Sequence, residues 1–364
     1  MIRLVIAGGG TGGHLYPGIA VAREVLRRMP DAVVSFAGTT RGLEARVVPA
    51  AGFELDTIRS AGLKGRSLTA RLRGAALVPA GLLDAWRLLT RRRPQVVMGV
   101  GGYSSGPVVL AAALRRIPTL VLEQNAVPGL TNRLLAPWVR AAAVTYEQTL
   151  SFFGRRGFVA GNPVRAEFFH TSKSDVRASN VRRVLVLGGS QGAHAINVAM
   201  VAAAPELVRR SADVAVVHQT GERDLETVRE GYRRAGVQVR AESFLDTVAR
   251  EMDEADVVIS RAGATTLAEL AASGRPAVLV PFPAATDDHQ RKNALVLDRA
   301  GAAVLIDQKD LTPQGLAGVV GDLLDDADRR ARMAAAMRTF AKPEAAACIV
   351  DRLIALARPE SQVA

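Results

Sequence analysis

The chain has 364 residues, 49% of them hydrophobic and 4% aromatic, and a formal net charge of +12 at pH 7. This length exceeds what one hydrophobic core usually organises and favours two domains, and the richness in Ala, Val, Leu and Gly is typical of α/β proteins with buried parallel sheets. A lone cysteine, Cys348, excludes an internal disulfide, while the positive charge favours an anionic partner: nucleic acid, a phosphorylated ligand or a membrane surface.

The N-terminal segment MIRLVIAGGG lacks the apolar length of a secretory signal, and we therefore expect a cytoplasmic protein. It continues as TGGHLYPGIAVAREVL, a pattern that predicts an apolar strand, a glycine turn and an amphipathic helix. Gly8, Gly10 and Gly13 have the G-x-G-x-x-G spacing of dinucleotide-binding turns. However, the second predicted strand, VVSFAG, ends in Gly38 and Thr39, where such folds place a ribose-binding acid. A nicotinamide cofactor is therefore disfavoured.

A glycine turn before a helix can still bind an anion, because the first backbone N–H groups point at the ligand and no Cβ intervenes. The alternative is that the glycines only allow close packing of the strand and the helix. No G-x-x-x-x-G-K-[ST] motif occurs in the chain, so nucleotide hydrolysis has no support.

The uncharged run at 96–114 approaches the length of a membrane span, but its four glycines, one proline and two serines predict a strand, a turn and a helix. VVMGVGGYSSGPVVLAAALRRIPTLVLE, from Val96, is echoed by VVISRAGATTLAELAASGRPAVLVP from Val257, and the N-terminal turn is echoed by RRVLVLGGSQGAHAINVAM from Arg182. Two tandem units of alternating strands and helices indicate two doubly wound parallel sheets. We expect the first domain at 1–163 and the second at 164–343, with a last helix at about 344–364 that completes the second domain or packs back on the first.

Seven motifs occur here in the same order as in the MurG family of N-acetylglucosaminyltransferases, which the chain resembles over residues 1 to about 345: GGGTGGHLYPG, GGYSSGP, EQNAVPGLTNRLLA, GNPVR, GGSQGA, SRAGATTLAEL and DDHQRKNA. The resemblance implies a GT-B glycosyltransferase fold, in which two Rossmann-like doubly wound parallel-sheet domains face each other across a cleft. It implies inverting transfer of GlcNAc from UDP-GlcNAc to the muramyl 4-hydroxyl of lipid I, giving lipid II and UDP in peptidoglycan biosynthesis. No cofactor and no metal are expected.

The resemblance also implies a setting for the reaction. The protein is expected to be peripheral, on the cytoplasmic side of the plasma (inner) membrane, with that anionic surface, UDP-GlcNAc, lipid I and other cell-wall synthesis and division proteins as partners. Nucleic acid is not expected as a partner. The acid-x-acid sequence at 326–328 lies in a charged helix start and is interpreted as surface rather than as a metal site.

The resemblance assigns UDP-GlcNAc mainly to the C-terminal domain. Glu269 is expected to accept two hydrogen bonds from the ribose diol, the alternative being an acid that merely favours a helix start. Arg165 is expected to reach the diphosphate, the alternative being a solvated linker arginine. The other residues assigned to UDP-GlcNAc are Thr11, Gly12, Gly13, Asn125, Ser190, Leu245, Ala264, Thr265, Thr266, Leu267, Ala268, His289 and Gln290.

The acceptor is assigned to the N-terminal domain, with the pyrophosphate of lipid I expected at the first glycine turn, so that Thr11, Gly12, Gly13 and Asn125 are candidates for both substrates. Two residues are candidates for the base that removes the acceptor proton, His14 and Glu123, although His14 could instead only orient its turn. Relatives commonly have a histidine directly before EQN, whereas this chain has a leucine there, which leaves the base open. The acceptor-binding candidates are Gly10, His14, Tyr103, Ser104 and Asn132.

The segment at 63–94 combines apolar residues with a basic rim that ends in the run RRR. Such a helix suits the surface of an anionic bilayer, although a core helix with a solvated basic face would read similarly. The residues expected to contact the membrane are Leu82, Trp86, Arg91, Arg92 and Arg93.

Three other functions compete with this interpretation. Another GT-B enzyme acting on UDP-sugars, either a lipid glycosyltransferase or a UDP-GlcNAc epimerase, should lack the GGYSSGP and EQN pair of motifs. A basic nucleic-acid or membrane-binding module would leave both glycine turns unexplained. An NAD-dependent oxidoreductase would need the missing ribose-binding acid.

Overall fold

The computed structural model of the protein describes residues 1–40, 42–60, 77–169, 181–189, 192–210 and 213–358. The chain divides into two compact units: unit 1 comprises Met1–Val164 and Lys342–Ala364, and unit 2 comprises Arg165–Ala341. Each unit has one parallel β-sheet with alternating helices. The predicted α/β class with two Rossmann-like parallel-sheet domains is thereby confirmed.

Unit 1 is built on a seven-stranded sheet in the order β3-β2-β1-β4-β5-β6-β7. Its strands are β1 (Arg3–Ala7), β2 (Val33–Gly38), β3 (Glu54–Thr57), β4 (Val96–Gly99), β5 (Thr119–Glu123), β6 (Ala141–Val144) and β7 (Gly157–Val159). Its described helices are α1 (Gly12–Arg28), α2 (Glu44–Ala50), α3 (Val78–Arg92), α4 (Ser105–Leu114) and α5 (Leu130–Leu135), and short 3-10 turns cover Glu147–Phe152 and Gly154–Arg156.

The central strands of this sheet form because they are almost wholly apolar and are covered on both faces. Leu4 pairs in parallel with Val34 and Val96, and the register continues along β1. Successive side chains enter opposite layers: Leu4 belongs to one buried cluster and Val5 to the other. The sheet is therefore a two-sided core that fixes where its loops emerge.

The last helix, α13 (Ala345–Ala357), belongs to unit 1. It packs on α1, and its residues Ile349 and Leu353 are buried in the same cluster as Leu4. An ion pair between Arg28 and Asp351 at 2.6 Å joins the two helices at their exposed side. The chain thus returns to the unit in which it began.

Unit 2 has a six-stranded sheet in the order β10-β9-β8-β11-β12-β13. Its strands are β8 (Arg182–Leu187), β9 (Val214–Gln219), β10 (Val239–Glu242), β11 (Val257–Ser260), β12 (Ala277–Leu279) and β13 (Ala303–Leu305). Its described helices are α6 (His194–Arg210), α7 (Leu225–Arg234), α8 (Val248–Glu254), α9 (Ala264–Ser273), α10 (His289–Arg299), α11 (Pro313–Asp325) and α12 (Ala327–Arg338), and short 3-10 turns cover Ala166–Phe168, Glu222–Asp224, Thr286–Asp288 and Gln308–Asp310.

Both sheets change direction beside their first strand. In unit 1 the chain winds outward from β1 to β3 and then resumes on the other side with β4, and in unit 2 it does the same around β8 and β11. In open parallel sheets, ligands bind beyond the carboxyl ends of the strands at such a switch point. The turns after β1, β4, β8 and β11 are therefore where a site is expected in each unit.

Candidate active site

The turn after β1 is held by a buried carboxylate that the sequence analysis missed. Glu44, in the first turn of α2, is fully buried. Its Oε2 accepts the N–H of Gly10 at 2.9 Å, and its Oε1 accepts the N–H and the hydroxyl of Thr39 at 2.9 and 2.7 Å. Burial opposes the charge, but these hydrogen bonds outweigh it and lower the pKa of Glu44. The sequence signal for this residue was the acid of RGLE, which lies six residues after the end of β2, the place where a ribose-binding acid was sought.

The turns after β1 and β4 interlock through bare backbone. Gly102 has a φ of +78°, and a Cβ there would lie 2.4 Å from the carbonyl oxygen of Gly9. Gly101 has a φ of +92°, and a Cβ there would lie 2.8 Å from Nδ1 of His14. Only glycine fits both positions, because the space is already taken and the backbone is left-handed. The imidazole of His14 therefore lies directly against the second turn.

His14 also contacts the residue that follows β5. Its Nδ1 lies 3.3 Å from Oε1 of Gln124, whose Nε2 donates to the carbonyl of Val100 at 2.8 Å. Gln124 is 1% exposed, whereas His14 is half-buried. The loops that follow three neighbouring strands, β1, β4 and β5, thus meet at the His14 imidazole.

Glu123, the other predicted base, is surrounded by donors. It is 1% exposed. Its Oε1 accepts the N–H of Asn125 at 3.0 Å and the Asn125 Nδ2 at 3.1 Å, and its Oε2 accepts the N–H of Gly129 at 3.0 Å and Nδ2 of Asn132 at 2.9 Å. Nδ2 of Asn132 also donates to the carbonyl of Leu122. Four donors occupy the carboxylate, so this geometry favours a role in shaping the loop rather than in taking a proton.

Two further residues that were predicted to bind the acceptor substrate, Tyr103 and Ser104, follow β4. The ring of Tyr103 lies against Gly10, and the Tyr103 carbonyl accepts the hydroxyl of Ser60 at 3.0 Å. Ser104 is fully buried, and its hydroxyl has no hydrogen-bond partner among the residues that the structure describes. Tyr103 is therefore half-buried beside the first turn, whereas the Ser104 side chain is enclosed by protein.

In unit 2, Glu269 on α9 is the counterpart of these acids, but its surroundings differ. Its side chain is 15% exposed, and Nη2 of Arg165 lies 3.8 Å from its Oε1. Arg165 pairs more closely with Glu167, at 2.8 Å. Burial raises the pKa of Glu269 to about 7, with Arg165 opposing the rise and the charge of Glu167 adding to it. This carboxyl is poised to ionise when a suitable donor group approaches.

The start of α9 presents backbone N–H groups near the end of β11. Gly263 is the N-terminal cap and supplies no side-chain capping bond, while its carbonyl accepts the N–H of Leu267 at 3.0 Å. The first N–H groups of any helix lack intrahelical acceptors and carry the positive end of its dipole. Leu267 is buried in the core, whereas the remaining predicted residues of this turn are half-buried: Ala264, Thr265, Thr266 and Ala268.

The loop after β10 and the glycine turn after β8 lie next to β9. Leu245 is 1% exposed, and its N–H donates to Oε1 of Gln219 at 3.2 Å. In the glycine turn, the N–H of Gly188 is accepted by the carbonyl of Gln219, and the N–H of Gly192 by that of Gly189. Ser190, which was predicted to bind the diphosphate, lies outside the described residues.

The segment that leads into α10 has an unusual backbone. Asp287 and Asp288 have φ values of 56° and 55°, a left-handed conformation that costs non-glycine residues of order 1 kcal/mol or more. It brings Nδ1 of His289 within 2.7 Å of the carbonyl of Thr286, and Oε1 of Gln290 accepts the N–H of Phe282 at 2.9 Å. Strained backbone of this kind is concentrated at ligand sites.

Helix α3 carries the predicted membrane residues, and the structure separates them. Trp86 is 46% exposed, whereas Leu82 packs against the core. Arg91 and Arg92 both bond to the carboxylate of Asp56, so their charge is partly neutralised. Arg93 ends the helix, exposed and with a left-handed φ. The basic residues at 64, 66, 71 and 73 lie outside the described residues.

No helix among the described residues is long and apolar enough to cross a bilayer. In the same ranges, no three His, Cys, Asp or Glu side chains cluster in a way that could hold a metal ion.

Two family models match the chain. Residues 4–144 match the N-terminal domain of glycosyltransferase family 28, and residues 183–349 match its C-terminal domain. The N-terminal match falls on unit 1, and the C-terminal match covers most of unit 2 and the first residues of the returning helix α13.

Curated relatives match along nearly the whole length. One, from Anaeromyxobacter dehalogenans strain 2CP-C, is 48% identical over 358 residues, which cover 98% of this chain and 94% of that protein. Another, from Geobacter sulfurreducens, is 41% identical over 363 residues, covering 99% and 100%. Both are named UDP-N-acetylglucosamine--N-acetylmuramyl-(pentapeptide) pyrophosphoryl-undecaprenol N-acetylglucosamine transferase.

Solved structures share the fold. The crystal structure of Acinetobacter baumannii MurG matches with a TM-score of 0.79 and 30% identity, covering 98% of this chain and 100% of that one. A UDP-GlcNAc 2-epimerase from Neisseria meningitidis, bound to UDP-GlcNAc, matches with a TM-score of 0.71 but only 15% identity, covering 98% and 100%. The epimerase likeness concerns the fold alone.

Proposed function

The chain belongs to the MurG family within glycosyltransferase family 28, and we propose that the residues described above carry out the reaction of that family in the following way. The protein transfers GlcNAc from UDP-GlcNAc to lipid I, giving lipid II and UDP in peptidoglycan synthesis. The observation that carries this function is 48% identity over 98% of the chain to a relative named for that reaction. An epimerase is not favoured, because its likeness is confined to the fold.

Unit 2 binds the donor, and Glu269 binds the ribose. A carboxylate that accepts two hydroxyl hydrogens must be ionised, and Glu269 is a half-buried acid with its one basic neighbour among the described residues 3.8 Å away. Each charge-assisted bond contributes about 1.5–3 kcal/mol. The ribose hydroxyls therefore add charge-assisted hydrogen bonds to a carboxyl whose basic neighbour, Arg165, lies 3.8 Å away.

The diphosphate is bound at the start of α9 and by Arg165. The helix dipole and the first N–H groups stabilise negative charge there, and the Arg165 guanidinium is 41% exposed beside Glu269. The same groups stabilise the charge that develops on UDP as it leaves. The carbonyl of Leu245 remains for the uracil, since its N–H is already bonded to Gln219. Thr265 and Thr266 add hydroxyls to this turn.

The GlcNAc hydroxyls are bound by His289 and Gln290. Oε1 of Gln290 is held by the N–H of Phe282, which directs the amide Nε2 outward as a donor. Nδ1 of His289 is held by the carbonyl of Thr286, which leaves Nε2 as the atom that meets the sugar. The left-handed backbone at Asp287 and Asp288 is what sets both side chains at the start of α10.

Unit 1 binds the acceptor, and His14 acts as the base in an inverting displacement. Glu123 already accepts four hydrogen bonds, whereas His14 is half-buried and carries an imidazole, the side chain most often used as a general base. The 4-hydroxyl oxygen attacks the anomeric carbon of GlcNAc, its proton passes to His14, and the bond to UDP breaks with its electron pair.

The lipid I pyrophosphate binds at the turn after β1, but the backbone N–H of Gly10 does not donate to it. That N–H is taken by Glu44, so the anion is bound by the next turn of backbone, at Thr11, Gly12 and Gly13. Tyr103 lies beside this turn and contacts the muramyl sugar. Asn125 and Asn132 act indirectly, by shaping the loop around Glu123. Ser104 is fully buried, so any effect of it on acceptor binding is also indirect.

The membrane contact is an apolar surface on α3 and the end of α4. Leu83, Trp86 and Leu114 are 48%, 46% and 54% exposed. The guanidinium of Arg115 lies 5.0 Å above the Trp86 ring and donates to the Trp86 carbonyl at 3.1 Å. Aromatic and basic side chains together suit the interface of an anionic bilayer, where each basic residue contributes about 1 kcal/mol. This surface attaches the protein peripherally to the cytoplasmic side of the plasma membrane.

The reaction is tested by transfer of labelled GlcNAc from UDP-GlcNAc to a lipid I analogue, with and without EDTA. Transfer should persist in EDTA, because the helix dipole and Arg165 stabilise the leaving group. His14→Ala should lower kcat by about 10²- to 10⁴-fold, the range of general base catalysis. Strict dependence on a divalent ion, or an undiminished kcat in His14→Ala, would contradict the corresponding assignment.

The membrane contact is tested with vesicles that contain phosphatidylglycerol. Leu83→Ser combined with Trp86→Ser should abolish most binding, while Val198→Ser, a change at a 52% exposed position of unit 2, should not. Arg91→Glu with Arg93→Glu should weaken binding less, because Asp56 already offsets part of that charge. Equal partitioning of all variants would refute the surface.

A further inference from the structure

We propose that Gln124 is a positioning residue that fixes the tautomer of His14, an inference that rests on the proposed role of His14 as the base. In that tautomer the hydrogen is on Nδ1 and the lone pair is on Nε2. A base with the opposite tautomer would present N–H to the hydroxyl it should deprotonate. The residue between Glu123 and Asn125 therefore has a function of its own.

The direction of the Gln124 amide follows from its other partner. The carbonyl of Val100 can only accept a hydrogen bond, and it lies 2.8 Å from Gln124 Nε2. The amide nitrogen must point there, which turns Oε1 towards His14. Because Oε1 can only accept, Nδ1 of His14 must carry the hydrogen across the 3.3 Å between them.

The surroundings prevent the amide and the ring from reversing these roles. Gln124 is 1% exposed, so neither end of its amide can exchange a partner for bulk water without cost. The ring of His14 is confined by Gly101, where even a Cβ would lie 2.8 Å from Nδ1. Val100 is fully buried, and its own N–H donates to the carbonyl of Ala7. The Val100 carbonyl that accepts from Gln124 is therefore fixed relative to the sheet.

The hydrogen bond also suits the proton transfer. When Nε2 takes the hydroxyl proton, the oxygen forms its bond to the anomeric carbon and the bond to the UDP oxygen breaks with its electron pair. The resulting imidazolium keeps its Nδ1–H bond to Gln124, whose oxygen stabilises the positive charge. Gln124 touches neither substrate in this scheme and acts through His14.

The tautomer can be read directly by NMR. Long-range ¹H–¹⁵N spectra at pH 8 should show the Nδ1–H pattern for His14, assigned by its absence in His14→Ala. Gln124→Leu removes the acceptor, so the Nε2–H tautomer that free imidazoles prefer should take over. His218, whose ring nitrogens are held by Tyr232 and Asn197, supplies an internal reference that should not move.

Kinetics supply a second readout, with opposite shifts in two variants. Gln124→Leu should lower kcat by about 10- to 100-fold with an unchanged KM for UDP-GlcNAc, and move the acid limb of the kcat profile to lower pH. Gln124→Glu keeps an acceptor for the Nδ1–H of His14 but loses the donor to the Val100 carbonyl, so it should restore only part of kcat, while its negative charge should move that limb to higher pH. Gln148→Leu, at an exposed glutamine of the same unit, should resemble the unaltered protein.

The outcomes separate the two assignments. An unchanged Nδ1–H pattern in Gln124→Leu, or acid limbs that do not move apart in the two variants, overturns the role of Gln124. Full activity in His14→Ala overturns the base assignment instead, whatever the tautomer. Should Gln124→Leu fail to fold, as seen by thermal melting, the Gln124→Glu profile alone still decides the matter by the direction of its shift.

Discussion

Glu123 in unit 1 and Glu269 in unit 2 are both shielded acids near the carboxyl edges of their sheets, yet they have opposite surroundings. Four donors from Asn125, Gly129 and Asn132 surround Glu123. Glu269 has an arginine at 3.8 Å, and burial raises its pKa to about 7. The difference teaches that two shielded acids can differ in the number of internal donors around them, which is why we propose Glu269 rather than Glu123 as a ligand-binding acid.

Glu44 extends the comparison, because it resembles Glu123 rather than Glu269. It is fully buried and accepts three hydrogen bonds, and its pKa is lowered. Unit 1 therefore has two internal acids that accept hydrogen bonds from its loops, while Glu269 of unit 2 is the acid that we propose binds a ligand. Three substitutions and one pH dependence test this distinction.

The largest effect is expected for Glu269→Ala. It removes both bonds to the donor ribose, each contributing about 1.5–3 kcal/mol, so kcat/KM for UDP-GlcNAc should fall by about 10²-fold or more. Unfolding temperature should change little, since Arg165, which lies 3.8 Å from Glu269, keeps its closer partner Glu167. Isothermal calorimetry with UDP should show the same loss. An unaltered UDP affinity would contradict the proposal that Glu269, unlike Glu123, binds a ligand.

Glu123→Ala should show the reverse pattern. It leaves buried donors unsatisfied, at about 1–3 kcal/mol each, so we expect a loss of about 3 kcal/mol in the free energy of unfolding of unit 1. Glu147→Ala, at an exposed position nearby, is the matched control. Thermal melting measures the difference. A variant with full stability and an altered pH profile of kcat would instead assign Glu123 to proton transfer.

Glu44→Gln probes the turn after β1. The substituted amide must place an NH₂ against the N–H of Gly10 or of Thr39, which costs about 1–3 kcal/mol of stability. The KM for lipid I should rise while that for UDP-GlcNAc stays constant, since the donor site that we propose lies in unit 2. Glu54→Gln, at an acid 69% exposed, serves as the control. A raised donor KM alone would contradict the assignment of this turn to the acceptor.

The smallest effect is the pH dependence of donor binding. The Glu269 carboxyl of the free protein is protonated below about pH 7, whereas the ribose hydroxyls donate to its ionised form. Binding therefore releases a proton, and UDP affinity should fall by about tenfold for each pH unit below 7. Calorimetry at pH 6.5 in buffers of different ionisation enthalpy would detect the proton. Glu269→Gln should bind weakly with no such dependence, and a flat wild-type profile from pH 6 to 8 would contradict the raised pKa.

Sequence patterns were most informative about the strands and the glycine turns. Apolar runs such as RLVIA and VVMG identify strands buried on both faces, because no other short segment can lose so much surface to the core. Motif order then identified the family and the α/β fold, both of which are confirmed. Membrane residues were harder to place, since Leu82 and Leu83 are adjacent in a helix and differ only in the side they present.

The sequence by itself determined the two parallel sheets, the family and the positions of the turns, because these depend on local apolar runs, glycines and their spacing. Only the tertiary structure decided which acids are satisfied, since Glu44 reaches back to Gly10 across 34 positions and Gln124 reaches His14 across 110. The physical reason is that hydrogen-bond capacity is filled by groups brought together in folding. No spacing along the chain records which donors will meet a given carboxylate or imidazole.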